Sequence, residues 1–287
     1  MEKHVALLRR GRTGPVIRSL VSACLLCLLS HLPGFAAQSS QTATRPAEPR
    51  TPAKPPAARP NIVILLADDL GIGDVGYNGS KIRTPHIDKL AATGVRLNQF
   101  YAAPICSPAR AALLTGRYPI RYGFQSALIW PWVEWGLGAE ERTLAEALKQ
   151  AGYRTALLGK WHLGHAREAY LPRRRGFDHH YGCYTGSVDY FEHTTNAALD
   201  WHRDGVPVEE EGYTTTLLAE EAVRLIRDSD HKRPLFLLVS FNAPHLPLQA
   251  PPGYRERYEH LKHPGRRIYA GMVTCMDEAI GQVVAAL

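Results

Sequence analysis

The sequence lacks the features that several simple readings require. Its 287 residues include five cysteines, and two of them, Cys24 and Cys27, fall within the first 36 residues. That excludes a disulfide-stapled scaffold. No apolar run is long enough to cross a bilayer comfortably; the best candidate, Ser19 to Leu32, is too short, which argues against stable membrane insertion. Charge of one sign is also missing from the bulk of the chain. The formal net charge is +7, but residues 1–60 hold nine basic and two acidic residues, whereas residues 61–287 hold 25 of each. A neutral bulk offers no field to attract nucleic acid. There is no internal repeat.

What is present starts with a leader. Arg9, Arg10, Arg12 and Arg18 precede the apolar Ser19–Leu32 run, Pro33-Gly34 breaks it, and Gly34-Phe35-Ala36 is a small-x-small cleavage pattern. Residues 1–36 read as an export signal, with an uncleaved anchor as the alternative. Residues 37–59 read as a disordered, proline-rich linker. A globular domain is expected over 60–287. Export, to periplasm, extracellular space or lysosome, leaves Cys106, Cys183 and Cys275 in an oxidising compartment. At least one of the three is unpaired, and pairing of Cys183 with Cys275 is open.

Buried strands alternate with helices in the globular part. Residues 61–67 (NIVILLA), 153–158 (YRTALL) and 235–241 (LFLLVSF) read as strands buried on both faces. Helices are expected from Thr84-Pro85 to Gly94, with Ile87, Leu90 and Ala91 inward, and from Pro108 to Gly116. Further helices are expected after the Thr143/Glu146 capping box, over 214–227 and over 269–287. The pattern gives an α/β fold, a mainly parallel sheet flanked by helices. Ligands in such sheets gather at the carboxyl ends of strands. Asp68 and Asp69 follow the first strand, Lys160 and His162 the second, and His245 the third.

Cys106-Ser107-Pro108-Ala109-Arg110 sits where a helix begins, with free N–H groups that favour an anion. Arg110 adds a planar cation suited to a tetrahedral oxyanion. Each residue taken singly has a plainer reading: a strand-ending turn for Asp68-Asp69, a solvated lysine for Lys160, structural histidines for His162 and His245. Their coincidence at three strand ends beside Cys106 favours a site.

These motifs resemble the type I sulfatases. The resemblance rests on C-x-P-x-R followed by L-L-T-G-R, on G-K-W-H-L-G at 159–164, and on D-D-L-G, T-P-H-I-D-K-L-A, R-R-G-F-D and N-A-P-H. Within the family, I-R-Y-G-F-Q, Y-L-P-R-R-R-G-F-D and Y-A-G-M-V-T-C-M-D-E-A-I-G are similar to the arylsulfatase B group, the N-acetylgalactosamine-4-sulfatases. The resemblance implies an alkaline-phosphatase-like N-terminal catalytic domain and hydrolysis of aryl sulfates or sulfated sugars. It implies that a formylglycine-generating enzyme converts Cys106 to formylglycine, the nucleophile, steadied by Arg110. It implies Ca²⁺ held by Asp68, Asp69 and residue 106, sulfate bound by Lys160 and His245, a leaving group protonated by His245, and a second proton removed with help from His162. Ser187 is a further candidate for sulfate contact.

Two departures stand out. Ala109 replaces the Ser usual in the motif, with Cys, Pro and Arg retained. No D-N-G, which completes the family's metal site, occurs before Leu287. The chain therefore reads as the N-terminal part of a sulfatase with an incomplete metal shell. The competing readings are a phosphodiesterase or phosphonate monoester hydrolase sharing the nucleophile motif, and an inactive truncated remnant.

Overall fold

The computed structural model describes residues 59–126, 128–229 and 232–287. The expected export signal and nearly all of the linker lie outside the described residues. The elements in chain order are β1 (Ile62–Leu66), α1 (Pro85–Thr93), α2 (Cys106–Thr115), α3 (Leu144–Gln150), β2 (Arg154–Gly159) and β3 (His179–Gly182). They continue with β4 (Thr194–Thr195), β5 (Ala198–Leu199), β6 (His202–Arg203), β7 (Val206–Pro207), α4 (Thr214–Arg227), β8 (Leu235–Ser240) and α5 (Pro264–Ala286).

One six-stranded sheet has the order β1-β8-β2-β3-β6-β7. The first four strands are parallel neighbours and the last two turn antiparallel. Side chains alternate across a strand, so each strand feeds two cores. Leu235, Leu237 and Val239 of β8 join α4 and α5 on one face, and Phe236 and Leu238 join α2 and α3 on the other. β1 divides the same way, with Val63 and Leu65 on the first face and Ile62, Ile64 and Leu66 on the second.

Two expectations need correction. β1 is half-buried rather than buried on both faces, because among the described residues it is an edge strand and pairs only with β8. Leu90 of α1 is exposed, since α1 packs on α5 by a narrower stripe than its pattern suggests. The α1 N-terminus is instead held by Asp277 of α5, whose carboxylate accepts from the backbone N–H of His86 at 3.2 Å and of Ile87 at 2.8 Å. The capping box is present as expected: Glu146 N–H donates to Thr143 Oγ1 at 3.1 Å, and Thr143 N–H to Glu146 at 2.8 Å. Cys183 and Cys275 are both free and buried, with burial pushing their thiols up to about 12 and about 11.

His180 on β3 is fully buried and stacks on Tyr184 at 5.0 Å. Burial, then the charges of His202 and His179, push its imidazole down to about 3. The unfolded chain takes this proton near pH 6.5, so the group stabilises the fold fully above that pH and loses the contribution as pH falls toward 3. Between pH 6.5 and 4.5 the urea midpoint is expected to fall, with His180 contributing about 1.4 kcal/mol per pH unit. His180→Phe is expected to flatten the profile by that slope; an unchanged slope would contradict the assignment.

Candidate active site

The strand register builds the site. Leu66, Ser240 and Gly159 are paired partners on three adjacent parallel strands, so β1, β8 and β2 end at one level. The next few residues of each strand therefore form one layer: Asp68-Asp69, Lys160 to His162, and Asn242 to His245. Gly159 is required at this seam. Its φ is +98° and an added Cβ would lie 2.1 Å from the Ser240 carbonyl oxygen. Helix α2 then brings Cys106 and Arg110 to the same layer. Its C-cap Gly116, at φ 65°, satisfies the expected helix stop.

Asp68, Arg110 and Lys160 are all buried and form one cluster. Lys160 donates to Asp68 Oδ2, and Arg110 Nη2 lies 3.4 Å from Asp68 Oδ1. Arg110 Nη1 also donates to the Lys160 carbonyl at 2.8 Å and to Ser240 Oγ. Burial resists ionisation of Asp68, but Arg110 and then Lys160 outweigh it and hold the carboxyl below its ordinary range. Burial, and next Arg110, lower Lys160 from its ordinary value against the pull of Asp68. Two cations thus surround one carboxylate, and Arg110 Nε is buried with no partner. The arrangement has room for a further anion.

His162 is buried, and burial followed by the charges of Lys160 and Arg110 pushes its imidazole well below its ordinary value. Its Nε2 lies 3.1 Å from the Ile129 carbonyl, which can only accept, so Nε2 carries the proton. Nδ1 is left bare and without a hydrogen-bond partner. His162 has φ 58° and packs against Gly186, where an added Cβ would come within 2.4 Å of the ring. His245 donates from Nδ1 to the Leu246 carbonyl at 2.7 Å, which turns Nε2 toward Asp69 Oδ2 at 3.6 Å. Ser187 Oγ donates to the same Leu246 carbonyl at 2.9 Å, so it braces the His245 loop.

Cys106 is partly exposed and in no disulfide, and it lies where two clefts meet. One, of about 480 Å³, is lined by Cys106, His162, His245 and Ser187 together with Trp130 and Trp132. The other, of about 430 Å³, is lined by Asp68, Asp69 and Arg110 among others. All seven residues singled out in the sequence therefore converge. Ser240 was missed by sequence reasoning, although a polar residue ending the run LFLLVS was the available signal.

A hard cation takes six to eight oxygens. Among the described residues no group of three or more His, Cys, Asp or Glu could hold a metal ion. Asp68 is already engaged by two cations, and Asp69 is mostly exposed and faces His245. These residues do not by themselves make a Ca²⁺ site. Calorimetric titration of this chain with Ca²⁺ is expected to show no saturable binding tighter than about 1 mM; a micromolar site would overturn that conclusion.

Comparison with known proteins agrees with this geometry. The chain is 40% identical over 245 residues to mouse arylsulfatase J, covering 80% of this chain and 40% of that protein. It is 36% identical over 249 residues to human N-acetylgalactosamine-6-sulfatase, covering 79% and 46%. The chain thus spans less than half the length of these relatives. Among solved structures, Ps i-CgsB in complex with k-i-k-neocarrahexaose matches at a TM-score of 0.75 and 38% identity, covering 79% of this chain and 55% of that one. The sulfatase family model matches residues 60–287. With that match over the whole globular part, the chain belongs to the sulfatase family.

Proposed function

We propose that the chain is the N-terminal catalytic part, residues 60–287, of an exported enzyme that hydrolyses sulfate esters. The observation that carries this reading is the buried Lys160–Asp68–Arg110 cluster, with one cation in excess, beside Cys106 at the start of α2. A sulfate ester brings an anion that such a cluster can bind, and charge developing on its oxygens is neutralised best where water is excluded.

A formylglycine made from Cys106 by a formylglycine-generating enzyme would supply a hydrated aldehyde as nucleophile toward sulfur. The partly exposed sulfur position at the meeting of two clefts suits such a group. In this reading Lys160 and His245 bind sulfate oxygens, and Arg110 steadies residue 106. His245 Nε2, which faces the cleft side of Asp69, gives a proton to the departing alcohol. His162 Nδ1, bare and unpartnered, accepts the proton released when sulfate leaves. A Ca²⁺ ion would need oxygens beyond those of Asp68 and Asp69, and no step here runs through it. The substrate class is a sulfated sugar, in line with the oligosaccharide complex of Ps i-CgsB.

The test is hydrolysis of 4-nitrophenyl sulfate by protein whose residue 106 is confirmed as formylglycine by peptide mass spectrometry. Release of nitrophenol faster than from the matched phosphate and phosphonate esters is expected. No sulfate hydrolysis by the confirmed material would sink the reading, and a faster phosphonate reaction would favour the phosphonate monoester hydrolase alternative.

A further inference from the structure

We propose that the cleft beside Cys106 extends into a carbohydrate-stacking subsite. Trp130 and Trp132 form one wall, the β4–β5 hairpin forms the other, and the occupant is the neutral pyranose next to the sulfated one. The proposal rests on the sulfatase reading only for which end of the cleft receives sulfate.

Trp130 and Trp132 stack on each other with ring centroids 5.3 Å apart and planes 2° from parallel. They are nevertheless 49% and 70% exposed, and both line the cleft. Two large aromatic faces left in water at a cleft rim mark a ligand surface. The loop that carries them is fixed to the catalytic segment. The Ile129 carbonyl accepts from His162 at 3.1 Å, and His165 Nε2 lies 3.0 Å from the Pro131 carbonyl. Backbone bonds from Val133 N–H to Trp130 O and from Trp130 N–H to Leu128 O, each 3.0 Å, set the turn between them. The platform is therefore held in place before any ligand arrives, which lowers the ordering cost of binding.

The opposite wall is polar. Thr194 and Asn196 line it, from a hairpin whose two turn residues, Asn196 and Ala197, both have left-handed φ of 47° and 62°. A two-residue hairpin loop requires that conformation at both of its central positions. Asp189, on the same wall, is occupied: its carboxylate accepts from Phe191 N–H, Glu192 N–H and Gln249 Nε2. Among the described residues no Lys or Arg lines this cleft. An apolar ring face together with a hydrogen-bonding edge matches a pyranose, with its C–H face and its rim of hydroxyls, and the Asp189 carboxylate on that edge disfavours a second sulfate.

Tryptophan fluorescence titration tests this apart from catalysis. The probes are a sulfated galactan tetrasaccharide and its chemically desulfated counterpart. Saturable quenching by both is expected, weakened about tenfold by Trp130→Ala and by Trp132→Ala. Trp135→Phe, which replaces an exposed tryptophan outside the cleft, is expected to bind like the parent. If the desulfated probe gives no saturable response, or if Trp132→Ala binds it as well as the parent, the subsite is overturned. Trp-dependent sugar binding by a protein that hydrolyses no sulfate ester would leave the subsite standing and remove the sulfatase reading. Hydrolysis of 4-nitrophenyl sulfate by a protein whose sugar binding ignores Trp130 and Trp132 would do the reverse.

Discussion

Cys106→Ala is expected to lower the turnover of 4-nitrophenyl sulfate by at least ~10⁴-fold while leaving the urea midpoint unchanged. The two halves of that expectation come from different features. In the proposed reading the loss follows because, among the described residues, Cys106 alone borders both clefts, and it starts helix α2 one turn before Arg110. Removing a nucleophile leaves binding and charge stabilisation in place but deletes the bond-forming atom, so the residual rate reports only those terms. Stability is spared because the Cys106 side chain is partly exposed and caps nothing, Ile105 being the N-cap. Steady-state kinetics and urea denaturation on the same preparation decide it. Turnover within tenfold of the parent would remove Cys106 from the chemistry.

Asp68→Asn is expected to act the other way, through the fold first. It strips the one carboxylate from between Lys160 and Arg110 and leaves two buried cations facing each other. Breaking a buried pair by removing one partner costs about 3–5 kcal/mol. In a domain of this size that is a Tm drop of about 10 °C. The double variant Asp68→Asn/Lys160→Met removes one of the two orphaned charges and their mutual repulsion, and is expected to recover part of the stability with none of the activity. Thermal unfolding of the three proteins separates the terms. A single variant as stable as the parent would show that the cluster is not ion-paired in solution.

The parts of this site that were legible in the sequence share one property: each follows a strand or opens a helix whose signal is strong. NIVILLA, YRTALL and LFLLVSF announced three strands, and parallel packing dictated that Asp68, Lys160 and His245 come together. β1 reads as buried on both faces because its residues are all apolar, yet an edge strand beneath two helical layers needs the same composition. β3 to β7 are not found, since strands of two to four residues are too short to show a period of two. α5 begins at Pro264, five residues ahead of the expected start, because Arg266 and Arg267 interrupt the apolar register. Arg266 is recruited by Asp74 in the loop after β1, and Tyr269 by the same carboxylate at 2.9 Å, long-range bonds that local pattern cannot reveal.

The edge position of β1 has a consequence for a chain made from its N-terminus. Among the described residues Ile62–Leu66 has one sheet neighbour, β8, which follows it far along the chain. Ser240, which holds Arg110, is the last residue of β8. Until that strand has emerged, β1 has nothing to pair with and the Cys106–Arg110 segment has nothing to lock against. Over that interval the Cys106–Arg110 segment lacks its Ser240 contact, and in the proposed reading it is then open to the enzyme that would modify Cys106. The arrival of β8 supplies the partner of β1 and the partner of Arg110 together.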